Sequence, residues 1–189
     1  MLDGTQEKII TAAMELIIER GYASTTTKDI ARRARVNECT IFRKFHGKKE
    51  IVLEAMKHPE WNPSLSEDLF PFTGDLEHDL CAFSETYMER VTPKMVKLSI
   101  GLRTPELYPD TAEGILNVPR TFKTVLRKYF SAMQDQLNTT DYESLAMMVL
   151  SMNFGFVFLD ASFGDKLTHL DKHDYIRQSV RVFVNGIKK

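Results

Sequence analysis

The sequence predicts an all-α protein, and three observations carry that prediction. Apolar residues recur at helical spacing in nearly every segment, and no run keeps the two-residue alternation of a half-buried strand. Capping residues or glycines stand where several of the apolar stripes begin or end. With 189 residues, 43% of them hydrophobic and 27% charged, the chain is long enough for one substantial core and is ordinary in composition.

The elements follow in order. A first helix runs from about Thr5 to Arg20, with Ile9, Ile10, Ala13, Met14, Leu16 and Ile17 as one broad stripe and Gly21 placed for the left-handed residue beyond its end. After the turn "GYASTT", Thr26 stands three residues before Asp29, a capping-box arrangement that opens a short helix through Ile30, Ala31 and Ala34. Arg35 to Asn37 form the next turn, and Asn37 can cap a helix from Glu38 to about Phe45. Gly47 opens a fourth helix carrying Ile51, Val52, Ala55 and Met56, which Pro59 must end because proline lacks the donor and clashes with the preceding turn. A loop from His58 to Thr73 holds Pro59, Pro63 and Pro71 with the only tryptophan, Trp61, and is expected to cover an apolar surface.

Further helices are expected at about Asp75 to Val91, Pro93 to Leu102, Asp110 to Leu137 with Pro119 the place for a kink, Asp141 to Phe163, and Lys172 to Ile187. The most apolar run, "LAMMVLSMNFGFVFLDASF", contains Asn153 and Asp160. Against the roughly 20 uninterrupted apolar residues of a membrane span it reads as a helix buried on several sides. No membrane association is expected.

Charge is unevenly distributed. Net charge is -1 overall, but residues 1–57 carry +3 and residues 58–189 carry -4. Lys28 to Lys49 alone carries +6 in 22 residues, whereas Glu60 to Arg90 sets eight acids against Arg90. Such polarity suits a polyanion at one end and repels it from the other. Two cysteines, Cys39 and Cys81, have no CxxC spacing, and no signal peptide precedes them, so the expectation is a cytoplasmic protein without disulfides.

A basic helix face by itself is usually a solvated face. Here, two short capped helices are joined by a three-residue turn and the second is basic, the outline of a helix-turn-helix whose second helix enters the DNA major groove. Ile30, Ala31, Ala34, Val36, Ile41 and Phe45 should lock these helices onto the first one. That leaves Glu38, Cys39, Thr40, Phe42, Arg43 and Lys44 outward or partly so. Arg43 can donate two parallel hydrogen bonds to a guanine edge; Thr40, Lys44 and Lys48 suit phosphate, and Lys48 opens a helix whose free N–H groups favour an anion. Thr26, Thr27, Lys28, Arg35 and Asn37 complete the candidate DNA-binding set.

The stretch "GYASTTTKDIARRARVNECTIFRKFHGKKEIVLEAM" resembles the amino-terminal domain of the TetR/AcrR family of bacterial transcription regulators. The positions that carry the likeness are Gly21, Tyr22, Thr26, Asp29, Ile30, Ala31, Ala34, Val36, Thr40, Ile41, Phe42, Phe45 and Lys48. The family usually has glycine in the turn where Arg35 stands, commonly has glycine where Cys39 stands, and more often has tyrosine at Phe42, so a hydroxyl contact to phosphate does not carry over. The resemblance implies a helix-turn-helix DNA-binding domain over 1–50 and a helical effector-binding and dimerisation domain over 51–189.

In that second part Trp61, Phe83, Tyr87, Met88, Met95, Leu98, Tyr108, Phe122, Met147 and Phe154 are the candidates for lining an apolar ligand pocket, with core packing the competing role for each. Ala146 to Phe163 is too apolar all round for a helix with one wet face. The last helix has Ile176, Val180, Phe183, Val184 and Ile187 on one stripe, so the two helices suit a two-fold homodimer interface.

No motif of catalysis or phosphate binding is found, and an enzyme is not expected. His169 and His173 are four apart, but Asp171 between them suits the N-cap of the last helix, which keeps them off one shared face; no metal or cofactor is expected. The sequence therefore suggests a dimeric transcription regulator, a repressor released from a double-stranded palindromic operator by a small apolar effector. Its rival is an architectural or cell-cycle DNA-binding protein of the same fold without an effector.

Overall fold

The computed structural model describes residues 2–58, 60–61, 70 and 72–189. Its α-helices are α1 (Gly4–Arg20), α2 (Thr27–Ala34), α3 (Glu38–Phe45), α4 (Lys48–Ala55), α5 (Leu76–Arg90), α6 (Pro93–Gly101), α7 (Tyr108–Ala132), α8 (Tyr142–Phe163) and α9 (Lys172–Ile187). Among the described residues there is no strand; one isolated antiparallel bridge joins Leu137 to Lys188. The chain divides into two compact units, a head of Met1–Ser64 with Lys97–Leu116 and a body of Leu65–Val96 with Asn117–Lys189.

Local chemistry sets the helix ends in the head. Asp3 accepts from the backbone N–H of Thr5 and Gln6 while the Gln6 side chain accepts from Asp3, a full capping box that starts α1 at Gly4, one residue earlier than expected. Gly21 ends α1 at φ 83°. The Thr26 hydroxyl accepts from Asp29 N–H at 3.1 Å and donates to the Asp29 carboxylate at 2.7 Å. At the other end of α2, Arg35 is left-handed at φ 57°, ψ 44°. Val36 N–H reaches back to Ala31 at 3.0 Å and Arg35 N–H to Arg32 at 3.3 Å, so a Schellman turn closes the helix on a residue with a Cβ. His46 ends α3 in the same region, at φ 65°.

These helices close over one core. Ile9, Met14, Ile17, Ile30, Ile41, Ile51 and Val52 are at most 1% exposed. The downstream segment adds Leu98, Leu102 and Leu107, at most 2% exposed, to the same cluster. Trp61, expected to cover an apolar surface, is buried there too; Pro59, Pro63 and Pro71 lie outside the described residues. Polar links reinforce the packing. The Tyr22 hydroxyl donates to Glu106 at 2.7 Å, and Lys49 pairs with Asp110 at 2.7 Å. Lys48 donates to the carbonyls of Tyr22 and Thr25, both at 2.7 Å, with its ammonium 3.7 Å from the Tyr22 ring centroid. Burial, then Glu106, holds the Tyr22 phenol well above its ordinary range. Burial pulls the Lys48 ammonium down, and Glu106 opposes it.

In the body, α5 packs against α8 and α9. Leu80, Phe83, Phe122, Phe130, Ala146, Val149 and Val180 are at most 1% exposed in one cluster. Asp79, only 1% exposed, anchors the start of α5 by accepting from Thr73 N–H, the Thr73 hydroxyl, Gly74 N–H and the Tyr129 hydroxyl at 2.7–3.0 Å. Helix α7 runs through Pro119. It stops at Ala132, short of the expected Leu137, because the chain tightens into a 3₁₀ turn at Gln134–Gln136. Helix α8 is long and apolar enough to cross a bilayer by length and composition, yet one side of it, including Val149, Leu150 and Val157, lies in the body core. Contrary to the expectation of burial on several sides, Met147, Met148, Phe154, Phe158, Leu159 and Phe163 are 37–56% exposed.

Two outcomes test this packing. Leu102→Ala should cost about 2–5 kcal/mol in urea unfolding, with amide exchange accelerating in α1 and α4 although Leu102 is remote from them in sequence. For Asp79, burial pushes the carboxyl up, but the Thr73, Gly74 and Tyr129 hydrogen bonds together hold it below the ordinary value. Its stabilisation is therefore complete above the usual carboxylate pKa of about 4 and is lost as pH falls below it. Asp79→Asn should cost about 1–3 kcal/mol at neutral pH, and the gap between the two proteins in urea midpoint should narrow towards pH 3.

Candidate nucleic-acid interface

The helix-turn-helix is held from beneath and open above. Ile30, Ala31, Ala34, Ile41 and Phe45 are buried on α1 and α4, and Val36 packs partly buried against them. On the opposite side of α3, Cys39, Phe42, Arg43 and His46 are all exposed. Their i, i+3, i+4, i+7 spacing makes one outward stripe. Phe42 is 49% exposed, a large aromatic left open. His46 is the member absent from the sequence-derived set; its spacing from Cys39 is the signal for it, hidden because His46 follows the last helical residue.

Pairing then sorts the basic run. Arg20 and Arg32 both bind Asp29, at 2.7 and 2.8 Å. Arg33 binds Glu19 at 2.8 Å and Glu15 at 3.3 Å, and Lys44 binds Asp3 at 2.5 Å. Lys49 is engaged by Asp110, and Lys48 is turned inward onto two carbonyls. Among the described residues Lys28, Arg35 and Arg43 are exposed without an ionic partner. Formal charge thus overstates the free positive surface. Exposed pairs are worth only about 0–1 kcal/mol, so Lys44 can exchange Asp3 for another anion at small cost, whereas Lys48 would give up two part-buried hydrogen bonds.

The remaining candidates lie at the N-terminal ends of α2 and α3. Thr26 caps α2 and Asn37 caps α3, the latter by accepting from Cys39 N–H at 2.9 Å. The Thr27 hydroxyl donates to the Glu38 carboxylate at 2.6 Å and ties the two ends together. The Thr26 hydroxyl, with the Arg20 guanidinium, holds the Asp29 carboxyl below its ordinary value against the cost of burial. Thr40 is half-buried beside the stripe. Two helix starts that their caps only partly satisfy, with three cations that have no ionic partner among the described residues, make a surface suited to a phosphate backbone, and Arg43 lies on the outward side of the helix.

The ten pocket candidates do not gather at one place. Trp61 and Leu98 lie in the head core. Phe83, Tyr87, Met88 and Phe122 lie in the body core, with the Phe122 ring 5.8 Å from Phe83 and 4.6 Å from Tyr87 between centroids. Met95 is half-buried, and Tyr108, Met147 and Phe154 are 43–46% exposed. Two apolar clefts on the body have other linings. One of about 480 Å³ runs past Phe72, Val125, Tyr129 and Met133, and one of about 570 Å³ lies between α8 and α9 beside Met152, Val182 and Phe183. His173 faces Glu85 at 3.4 Å and His169 lies 4.0 Å from Asp165; no group of three potential metal ligands occurs among the described residues.

Comparison with known proteins agrees with this geometry. Residues 9–55 match the family model for bacterial regulatory proteins of the tetR family. Over 187 residues, 97% of each chain, the protein is 30% identical to the HTH-type transcriptional regulator YvkB of Bacillus subtilis (strain 168). It is 25% identical to IcaR, the HTH-type negative transcriptional regulator of the biofilm operon icaADBC in Staphylococcus aureus, across 85% of this chain and 86% of that one. The crystal structure of NalD, secondary repressor of the MexAB-OprM multidrug efflux pump in Pseudomonas aeruginosa, superposes with a TM-score of 0.68 at 18% identity, covering 98% and 96% of the two chains, a likeness of fold. Helix-turn-helix, family match and full-length relatives agree: this chain belongs to the TetR family, and it is a DNA-binding transcription regulator rather than an enzyme.

Proposed function

We propose that the protein is a homodimeric repressor whose α3 stripe reads a palindromic operator and whose body responds to a small apolar effector. The observation that carries the DNA-reading part is the sorting of charge: Lys28, Arg35 and Arg43 remain unpaired around the outward side of the helix-turn-helix while the neighbouring cations are engaged. Arg43 meets a guanine edge; Lys28, Arg35 and the readily exchanged Lys44 meet phosphate, with Thr40 beside them. The repressor assignment is supported by IcaR, a negative regulator, and NalD, a repressor.

Dimerisation is supported by the open side of α8 and by Val182 of α9, 73% exposed; the α9 stripe expected for the interface is not available for it, because Ile176, Val180, Val184 and Ile187 are buried in the body core with Phe183 packed against them. So much apolar surface on two adjacent helices suits a second copy, four helices meeting about a two-fold axis. In the chain, α6 and α7 each begin in one unit and end in the other. An effector that favours one arrangement of these helices in the body would therefore act on the segment that completes the head core, with a coupling of about 1–3 kcal/mol typical of such linkage. A DNA-binding protein of this fold without an effector is favoured by the core packing of most pocket candidates. A thermal-shift screen of apolar compounds separates the two: stabilisation that also releases DNA supports an effector.

Arg43→Ala should weaken operator binding by about 1–3 kcal/mol and relax one base preference, whereas Lys28→Ala should weaken all sequences alike and reduce the salt slope by about 1, both read by fluorescence anisotropy from 50 to 200 mM salt. Unchanged affinity and preference in Arg43→Ala would refute its role. Met148→Glu combined with Phe154→Glu should sediment as a monomer and lose cooperative operator binding; a dimer that persists would place the interface elsewhere.

A further inference from the structure

Glu38 stands out on a surface otherwise suited to a polyanion. It is the first residue of α3, where a carboxylate is favoured by the helix dipole. Among the described residues it has no cationic partner, although Arg20, Arg32, Arg33, Lys44 and Lys49 nearby in sequence all take carboxylates. Instead, the Thr27 hydroxyl donates to Oε1 at 2.6 Å, and Oε2 has no partner among the described residues. The side chain is half-buried, which limits its freedom. One oxygen is fixed and the other is free to accept.

A carboxylate brought against DNA is repelled by phosphate, so it is tolerated only where a donor meets it. In the major groove the donors are the exocyclic amines of cytosine and adenine. Guanine presents O6 and N7, thymine presents O4, and adenine sets the acceptor N7 beside its amine. Cytosine offers its amine without a second acceptor on the same base edge. We propose that Glu38, positioned by Thr27, selects cytosine at one position of each operator half-site and rejects guanine and thymine there. This rests on the proposal that the α3 surface reads DNA, and it assigns to that surface an acid as discriminator alongside the basic side chains.

The test uses the full-length protein and double-stranded DNA selected from a random pool, with the wild type, Glu38→Gln and Thr27→Val run in parallel. The wild type should enrich a palindrome with cytosine at one position per half-site, and replacing that base pair should weaken binding roughly 5- to 150-fold. Glu38→Gln, whose amide can both donate and accept, should shift that single position towards adenine, leave the other positions unchanged and bind nonspecific DNA at least as tightly. Thr27→Val should keep the motif but flatten the preference at the same position, which a purely structural tie would not do. If Glu38→Gln enriches the wild-type motif unchanged, or if Thr27→Val alters all positions equally, the assignment is overturned. A wild type that enriches no motif would instead sink the DNA-reading proposal on which it rests. Circular-dichroism melts establish that each variant is folded, and if Glu38→Gln fails that check, retention of full cytosine preference by Thr27→Val would still overturn the positioning.

Discussion

The head of this protein is not closed by its own contiguous sequence. Its first helices present Ile9, Ile17, Ile30, Ile51 and Val52, but the cluster they form also contains Leu98, Leu102 and Leu107 from the segment around the α6–α7 turn. The contiguous front of some 50 residues would by itself be near the lower size at which a domain stands alone, so the three fully buried leucines that the later segment brings to the head are a substantial share of its core. Tyr22–Glu106 and Lys49–Asp110 fasten the same segment by polar links. Helix-turn-helix geometry thus depends on residues that the remainder of the chain carries, and this is the physical basis for expecting a change in α6 or α7 to be felt at α3.

The second organising feature is selective neutralisation. A segment with a +6 surplus would repel itself if its charges were all free. The fold answers with carboxylates, most of them from outside the segment: Asp3 and Glu19, on the first helix and its cap, for Lys44 and Arg33, Asp110 for Lys49, and Asp29 within it for Arg32, shared with Arg20 of the first helix. What is left open is not spread evenly but set around the α3 stripe and the ends of α2. The charge that first marks this segment is therefore largely structural, and the few side chains left open owe their positions to packing.

Much of the fold is legible in the sequence, for reasons that are local. Thr26, Asn37, Asp141 and Asp171 announce helix starts because a side-chain acceptor within three residues of a free N–H is a short-range matter. At Arg35, φ 57°, the hint is the family resemblance, since the family usually has glycine in that turn. The end of α7 is misread because Met133 and Leu137 keep a helical spacing that the backbone abandons; Leu137 is instead paired with Lys188 far along the chain. The ion pairs are equally beyond the reach of pattern, since Lys44 and Asp3, or Arg33 and Glu19, meet only through packing of separate helices. Lys48 illustrates both sides. Its place at the start of α4 is readable, but its engagement with two carbonyls and a ring requires the α1–α2 turn to arrive beside it. The pocket candidates scatter because methionine and phenylalanine at helical spacing serve core, cleft and interface alike.

The surface around α3, with a few cations that have no ionic partner among the described residues and with the joined starts of α2 and α3, is the proposed DNA-binding face. Amide hydrogen exchange of the full-length protein with and without a duplex it has selected tests that most directly. Slowed exchange is expected at the first amides of α2 and α3, around Lys28 and Glu38, fading as salt is raised. Protection confined to the body, with α2 and α3 unchanged, would contradict it.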